Sequence, residues 1–298
     1  MQHFHIRRIV ATFAGNSAND KMTLKGKSPI GIFDSGYGGL TILSEIRKLM
    51  PEYDYLYLGD NARAPYGSRS FEVVYRFTLQ AVEHLFSRGC RLVILACNTA
   101  SAKALRTIQQ NDLPKLDPSR RVLGVIRPTV EKLGELTHTG EIGILGTMGT
   151  IQSGSYTMEI EKMYPGYHVY GQACPMWVPL VEYKEADSDG ADYFVEKYIN
   201  ELFLQSKGID TVILGCTHYP LLYPKIAKYM PDSVTVIKQG PIIAESLKDY
   251  LHRHPEIETA CSKHGQCHYL TTESSGKFSP MASIFLDEPV EAEQITLT

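Results

Sequence analysis

The sequence predicts an α/β protein of two similar three-layer units with mostly parallel sheets and an active site in the cleft between them. Three observations lead there. Short apolar runs alternate with amphipathic helical stretches, the pattern of parallel strands covered on both faces. Two distant segments align without gaps, Ser87-Arg-Gly-Cys-Arg-Leu-Val-Ile-Leu-Ala-Cys97-Asn-Thr on Ser206-Lys-Gly-Ile-Asp-Thr-Val-Ile-Leu-Gly-Cys216-Thr-His. A second pair, Gly31-Ile-Phe-Asp-Ser-Gly and Gly143-Ile-Leu-Gly-Thr-Met, repeats a strand running into a small-residue loop.

Taken in order, Met1–Lys27 stands apart as a flexible extension. Its apolar stretch Ile9–Ala14 is short for a secretory signal, and Met22 is an alternative start. Strands at Ile30–Phe33, Tyr53–Leu58, Leu92–Leu95 and Val122–Val125, with a helix at Phe71–Arg88, build the first unit. Strands at Glu141–Leu145, His168–Gln172, Thr211–Leu214 and Val234–Ile237, with a helix at Ala191–Lys207, build the second. The helix Gly240–His252, a strand at Tyr269–Thr272 and a helix at Phe278–Leu286 bring the chain back to the first. The division is therefore 28–125 with 238–287 against 126–237. The acidic, proline-containing end, 288–298, reads as a disordered tail.

Composition narrows the function. The 298 residues are 43% hydrophobic and 21% charged, the balance of a soluble globular enzyme. A formal net charge of -3 gives no reason to expect nucleic acid or an anionic membrane. No apolar run approaches the roughly 18 residues of a membrane span. Six irregularly spaced cysteines read as reduced thiols in the cytoplasm rather than a disulfide framework.

Ligands of α/β folds sit at the carboxyl ends of strands, and there the duplicated segments deliver Cys97 and Cys216. A thiol that opens a helix feels its positive end, which is expected to lower the pKa from about 8.5 towards neutrality. Two such thiols, one from each unit, suit proton transfer on the two faces of one carbon. His218 lies where it could polarise Cys216. Asp34-Ser-Gly-Tyr-Gly-Gly39 precedes a helix start suited to a carboxylate. Thr147–Thr150 offers further hydroxyls, Asp60 and Ala64-Pro-Tyr-Gly67 read as a turn, and Glu182 ends an apolar patch. Cys261-Ser-Lys-His264-Gly-Gln-Cys267-His268 is rich in zinc-type ligands. It lacks the usual paired-cysteine spacing, and one contiguous loop seldom wraps a metal, so no metal is expected.

These residues together resemble the cofactor-independent aspartate/glutamate racemase family, and within it glutamate racemases. The resemblance covers roughly Pro29 to Leu286. It is carried by Phe33-Asp34-Ser35-Gly-Tyr-Gly-Gly39, Gly59-Asp60, Pro65-Tyr66-Gly67, Ala96-Cys97-Asn98-Thr99-Ala-Ser101, Pro179-Leu-Val-Glu182 and Gly215-Cys216-Thr217-His218-Tyr-Pro-Leu-Leu222. It implies that Cys97 and Cys216 are the two acid/base residues, with Asp34 assisting Cys97, and His218 and Glu182 assisting Cys216. Asp34, Ser35, Tyr66, Gly67, Asn98, Thr99, Thr217 and His218 would contact glutamate. No pyridoxal phosphate or other cofactor is implied; D-glutamate for peptidoglycan would be the product, and a homodimer the usual assembly. Ile126-Arg127-Pro128-Thr129 departs from the acidic residue that many members place before this proline.

Other readings are an aspartate or hydantoin racemase on the same framework, a cysteine hydrolase or thiol transferase using Cys216 and His218, and an amino-acid-binding protein. The His218 position favours glutamate.

Overall fold

A computed structural model describes residues 28–298. The expected flexible extension, 1–27, lies outside the described residues. Ten strands form two sheets: β1 Ile30–Asp34, β2 Tyr55–Gly59, β3 Leu92–Leu95, β4 Arg121–Gly124, β9 Cys267–Thr271 and β10 Ala292–Gln294 in one, β5 Glu141–Gly146, β6 His168–Ala173, β7 Thr211–Gly215 and β8 Thr235–Ile237 in the other. Among the described residues every strand pairing is parallel. Strands β1, β2, β3 and β7 are buried along their whole length, which is why they read as continuous apolar runs.

The duplication in the sequence is a duplication of topology. The order β10-β9-β2-β1-β3-β4 contains the block β2-β1-β3-β4, and the second sheet is β6-β5-β7-β8. Thus β1 corresponds to β5, and β3, which precedes Cys97, corresponds to β7, which precedes Cys216. The register agrees: Phe33 pairs with Leu95 as Leu145 pairs with Leu214.

Helices cover both faces of the sheets. In Phe71–Ser87 the buried Val74, Thr78, Ala81, Val82 and Leu85 fall on one face at helical spacing, and the Ser70 hydroxyl caps the helix by accepting from the Val73 N–H. Helix Leu40–Leu49 packs Leu40, Leu43 and Ile46 into the same core as Ile243, Ala244 and Leu247 of helix Gln239–Arg253. That returning helix closes the first unit around its first helix.

The end of the chain corrects the expectation of a disordered tail at 288–298. Strand β10 pairs with β9, and the Ile295 N–H donates to the Thr271 carbonyl at 2.8 Å. Val290 enters the core and Glu288 pairs with Arg47. An acidic composition did not reveal that the free edge of β9 offers backbone donors and acceptors for even a three-residue strand.

Candidate active site

The carboxyl ends of β1, β3, β5 and β7 converge. After β1, Asp34 is fully buried and accepts from the Gly36 N–H at 2.9 Å. It also accepts from the Thr217 hydroxyl at 3.3 Å, which joins the β1 loop to the β7 loop of the other sheet. That approach depends on Gly38: a Cβ there would collide with Thr217 and His218. On the opposite lip the Gly149 N–H donates to the Gly67 carbonyl at 2.7 Å. Nearby, the hydroxyls of Thr99, Thr147 and Thr150 bond to one another at 2.9 to 3.3 Å. The cleft is thus closed on both sides by polar contacts between the sheets.

Cys97 and Cys216 each retain only 6% of their surface. Cys97 caps the helix Asn98–Lys103, its sulfur accepting from the Ala100 N–H at 3.5 Å while its S–H donates to the Ser35 hydroxyl at 3.5 Å. The expected depression of its pKa is corrected. Burial pushes the Cys97 thiol up to about 12, with the Asp34 carboxylate adding to the rise, and the bonds to Ser35 and Ala100 offset only part of it. A six-residue helix does not outweigh loss of solvent on all sides.

Cys216 does not open an α-helix as the alignment implied. A turn follows it, and a short 3-10 helix begins only at Tyr219. Its electrostatic support is a side chain instead: His218 Nδ1 lies 3.9 Å from the sulfur, and His218 Nε2 lies 3.0 Å from Glu182 Oε1. Burial alone would pull His218 down, but the bonds to Cys216 and Glu182 outweigh it and raise the imidazole to about 10. Asp34 is raised chiefly by burial, against the pull of His218, the Gly36 and Gly39 N–H groups and Thr217.

Other anticipated contacts are placed differently. Tyr66 is buried with its hydroxyl bonded to Asp60. Asp60 itself is tied to Arg63 and Thr272 as part of the turn. The Asn98 side chain accepts from Tyr156 at 2.7 Å and donates to Gln239 at 2.7 Å, which leaves one N–H for anything else. Tyr156 and Gln239 were not anticipated; the one available signal was that Gln239 follows the last strand of the second sheet. The zinc-type cluster is drawn apart: Cys261 enters the core, His264 bonds Asp54 at 2.7 Å, and Cys267 and His268 alternate along β9. Among the described residues no group of three or more His, Cys, Asp or Glu could hold a metal ion.

Two buried thiols thus stand at equivalent strand ends of a duplicated α/β fold, each beside its own polar side chains, and similarity to known proteins makes the chain an isomerase, an amino-acid racemase. The chain belongs to the Asp/Glu/hydantoin racemase family, whose model matches residues 41–247. A glutamate racemase from Geobacter metallireducens is 38% identical over 258 residues, 86% of this chain and 92% of that protein. The crystal structure of a glutamate racemase isoform from Bacillus anthracis superposes with a TM-score of 0.82 at 34% identity, covering 91% of this chain and 98% of that one. A glutamate racemase from Francisella tularensis in complex with D-glutamate gives 0.81 at 30% identity, over the same shares of the two chains.

Proposed function

We propose that this protein interconverts L- and D-glutamate by two-base proton transfer between Cys97 and Cys216. The observation that carries the mechanism is the pairing of a buried thiol at the end of β3 with a second, His218-supported sulfur at the corresponding end of β7. One sulfur, as thiolate, removes the α-proton; the other, as thiol, returns a proton to the opposite face of the planar carbanion. Roles exchange in the reverse direction. Such acid–base transfer supplies only about 10²–10⁴-fold. The remainder is assigned to donors aimed at the carboxylate as it becomes enediolate-like, with the Thr99, Thr147 and Thr150 hydroxyls as candidates, and to exclusion of water by the closed lips. Asp34, Ser35, Gly67, Thr217 and the remaining Asn98 N–H complete the proposed glutamate contacts, Tyr66 acting through its backbone.

The two-unit division at 125/126 and 237/238 is supported by the chain changing sheets between β4 and β5 and again between β8 and β9. D-glutamate for peptidoglycan, a cytoplasmic location and a homodimer complete the reading. The six free cysteines support the location, and exposed apolar side chains such as Tyr183, Leu204 and Ile284 support association. Among the described residues no helix is long and apolar enough to cross a membrane.

The test is solvent-deuterium entry at the α-position of L- and D-glutamate, without added cofactor, in wild type, Cys97→Ser and Cys216→Ser. Racemisation should vanish in both variants while each retains exchange from one enantiomer. Wild-type interconversion in either variant would refute the mechanism.

A further inference from the structure

Three hydrogen bonds close a ring at the base of the Cys97 helix. Asn98 Nδ2 donates to Gln239 Oε1 at 2.7 Å, Gln239 Nε2 donates to the Tyr156 hydroxyl at 2.9 Å, and that hydroxyl donates to Asn98 Oδ1 at 2.7 Å. All run in one sense around the ring, so each bond polarises the next. Gln239 also donates to the Thr129 hydroxyl at 2.8 Å, with the Val125 carbonyl at 3.4 Å, and Thr129 donates to Val125 at 2.7 Å. Gln239 is 3% exposed, and Asn98, Tyr156 and Thr129 are equally buried.

The four segments involved are not arbitrary. Asn98 follows Cys97. Val125–Thr129 is where the chain leaves the first sheet, Gln239 is where it comes back, and Tyr156 lies in the helix Ser155–Met163 beside the second sheet. A closed, buried polar ring therefore sits where both crossovers meet the helix that carries one of the two sulfurs. The Ala100 N–H reaches Cys97 Sγ only while the first turn of that helix stays in register. Cys216 draws its support from His218 and Glu182, neither of which belongs to the ring. Tyr156 does lie with its ring edge against Gly215 and near enough to Cys216 for the two to interact electrostatically, so a useful variant must keep the aromatic ring and remove only the oxygen, a change that removes no charge.

We propose that Gln239, acting with Tyr156, is a positioning residue that holds Cys97 against one face of the substrate α-carbon and has no part in placing Cys216. This rests on the two-thiol reading above. It predicts damage of a kind that a merely structural residue would not cause: loss on one stereochemical side.

The variants are Gln239→Met and Tyr156→Phe, with Cys97→Ser and Cys216→Ser as references and melting temperature as the control for folding. The readout is elimination from each configuration of β-chloroglutamate. A thiolate takes the α-proton, the C–H electron pair becomes the C=C bond, and chloride leaves with the β C–Cl pair. The enamine then hydrolyses to 2-oxoglutarate and ammonium, and the 2-oxoglutarate is measured. Displacing a sulfur by a fraction of an ångström should lower kcat about tenfold or more for the configuration that Cys97→Ser loses. Any change in KM, through the Asn98 contact, should be alike for both configurations, while kcat for the other configuration should stay within about twofold. Equal losses for both configurations, or none, would overturn the positioning role while the serine variants still reported one-sided losses. Retention of both configurations by Cys97→Ser would instead bring down the two-thiol reading, and this proposal with it. If Gln239→Met does not fold, Tyr156→Phe decides alone.

Discussion

His218 is held protonated first by Cys216 and then by Glu182, and replacing Glu182 by Gln isolates the second of these. The carboxylate lies 3.0 Å from His218 Nε2, and the imidazole, only 6% exposed at its side chain, is held at about 10. At an effective dielectric of about 20, two unit charges at the 3.0 Å of this pair attract by about 5 kcal/mol. Glu182 retains 29% side-chain exposure, and solvent screening reduces the useful part to about 2 kcal/mol. At 1.36 kcal/mol per unit this lowers the His218 pKa by about 1.5 units. If His218 supports Cys216 as proposed, the alkaline limb of kcat/KM should move down by about that amount in Glu182→Gln, measured by circular dichroism with each enantiomer as substrate. Stability follows the same sign. A histidine whose folded pKa lies above its free value of 6.5 stabilises the fold fully below that value, and the contribution is lost as pH rises through about 10. The variant's deficit in Tm should therefore be greatest near neutral pH, where both partners are charged, and vanish at the alkaline end. An unmoved alkaline limb in a folded Glu182→Gln protein would refute the role given to the His218–Glu182 pair.

Three further outcomes follow from the geometry. Gly38→Ala should cost about 10²-fold in kcat/KM, because the added Cβ forces the β1 loop off Thr217 and His218; wild-type kinetics would show that the two loops need not meet. Removing residues 288–298 should lower Tm by about 5 °C or more through loss of β10 and the buried Val290, with kcat unchanged, as read by thermal unfolding and the racemisation assay. Asp210 resists the raising effect of burial through bonds from Thr137 and the His138 and Thr139 N–H groups, which hold it at about 2 against 3.8. Its contribution is present above 3.8 and lost as pH falls through about 2, so Asp210→Asn should cost about 1 kcal/mol at neutral pH, after discounting for partial exposure, and progressively less in acid unfolding.

Much of this fold was written in local pattern. Strands such as Leu92–Leu95 and Thr211–Gly215 are buried on both faces, so their apolar runs are unbroken, and the helix Phe71–Ser87 carries its core face at regular spacing. Cys97 and Cys216 were legible because duplication places both at the same point of a strand–loop unit. What escaped was long-range. The ring of Gln239, Tyr156 and Asn98 joins residues 58 to 141 positions apart, and no local periodicity marks a buried amide that finds its partners only after folding. Strand β10 was hidden for the same reason, since its pairing partner is the edge of β9 rather than any neighbour in sequence. The sign of the Cys97 shift also depended on a non-local fact: folding buries the thiol and removes the solvent that a helix start alone would leave.

The two halves of the site occupy equivalent positions yet are built differently. Cys97 rests on Ser35, Ala100 and the nearby Asp34, whereas Cys216 rests on a histidine–carboxylate pair. Enantiomers have equal free energy in water, so the ratio of kcat/KM in the two directions must equal one at every pH, however unequal the two sulfurs are. Asymmetric support can therefore change how kcat and KM divide in each direction, and the rate of each half-reaction, but never that ratio. The chain met a mirror-symmetric reaction with one duplicated strand–loop unit, which brings the sulfurs to corresponding places, and with unrelated side chains around each, which no mirror operation on L-residues could have matched. A perturbation confined to one sulfur must accordingly appear as a one-sided change in exchange or elimination beneath an unchanged ratio of kcat/KM, and a departure of that ratio from one would signal an error in the assay before it signalled anything about the enzyme.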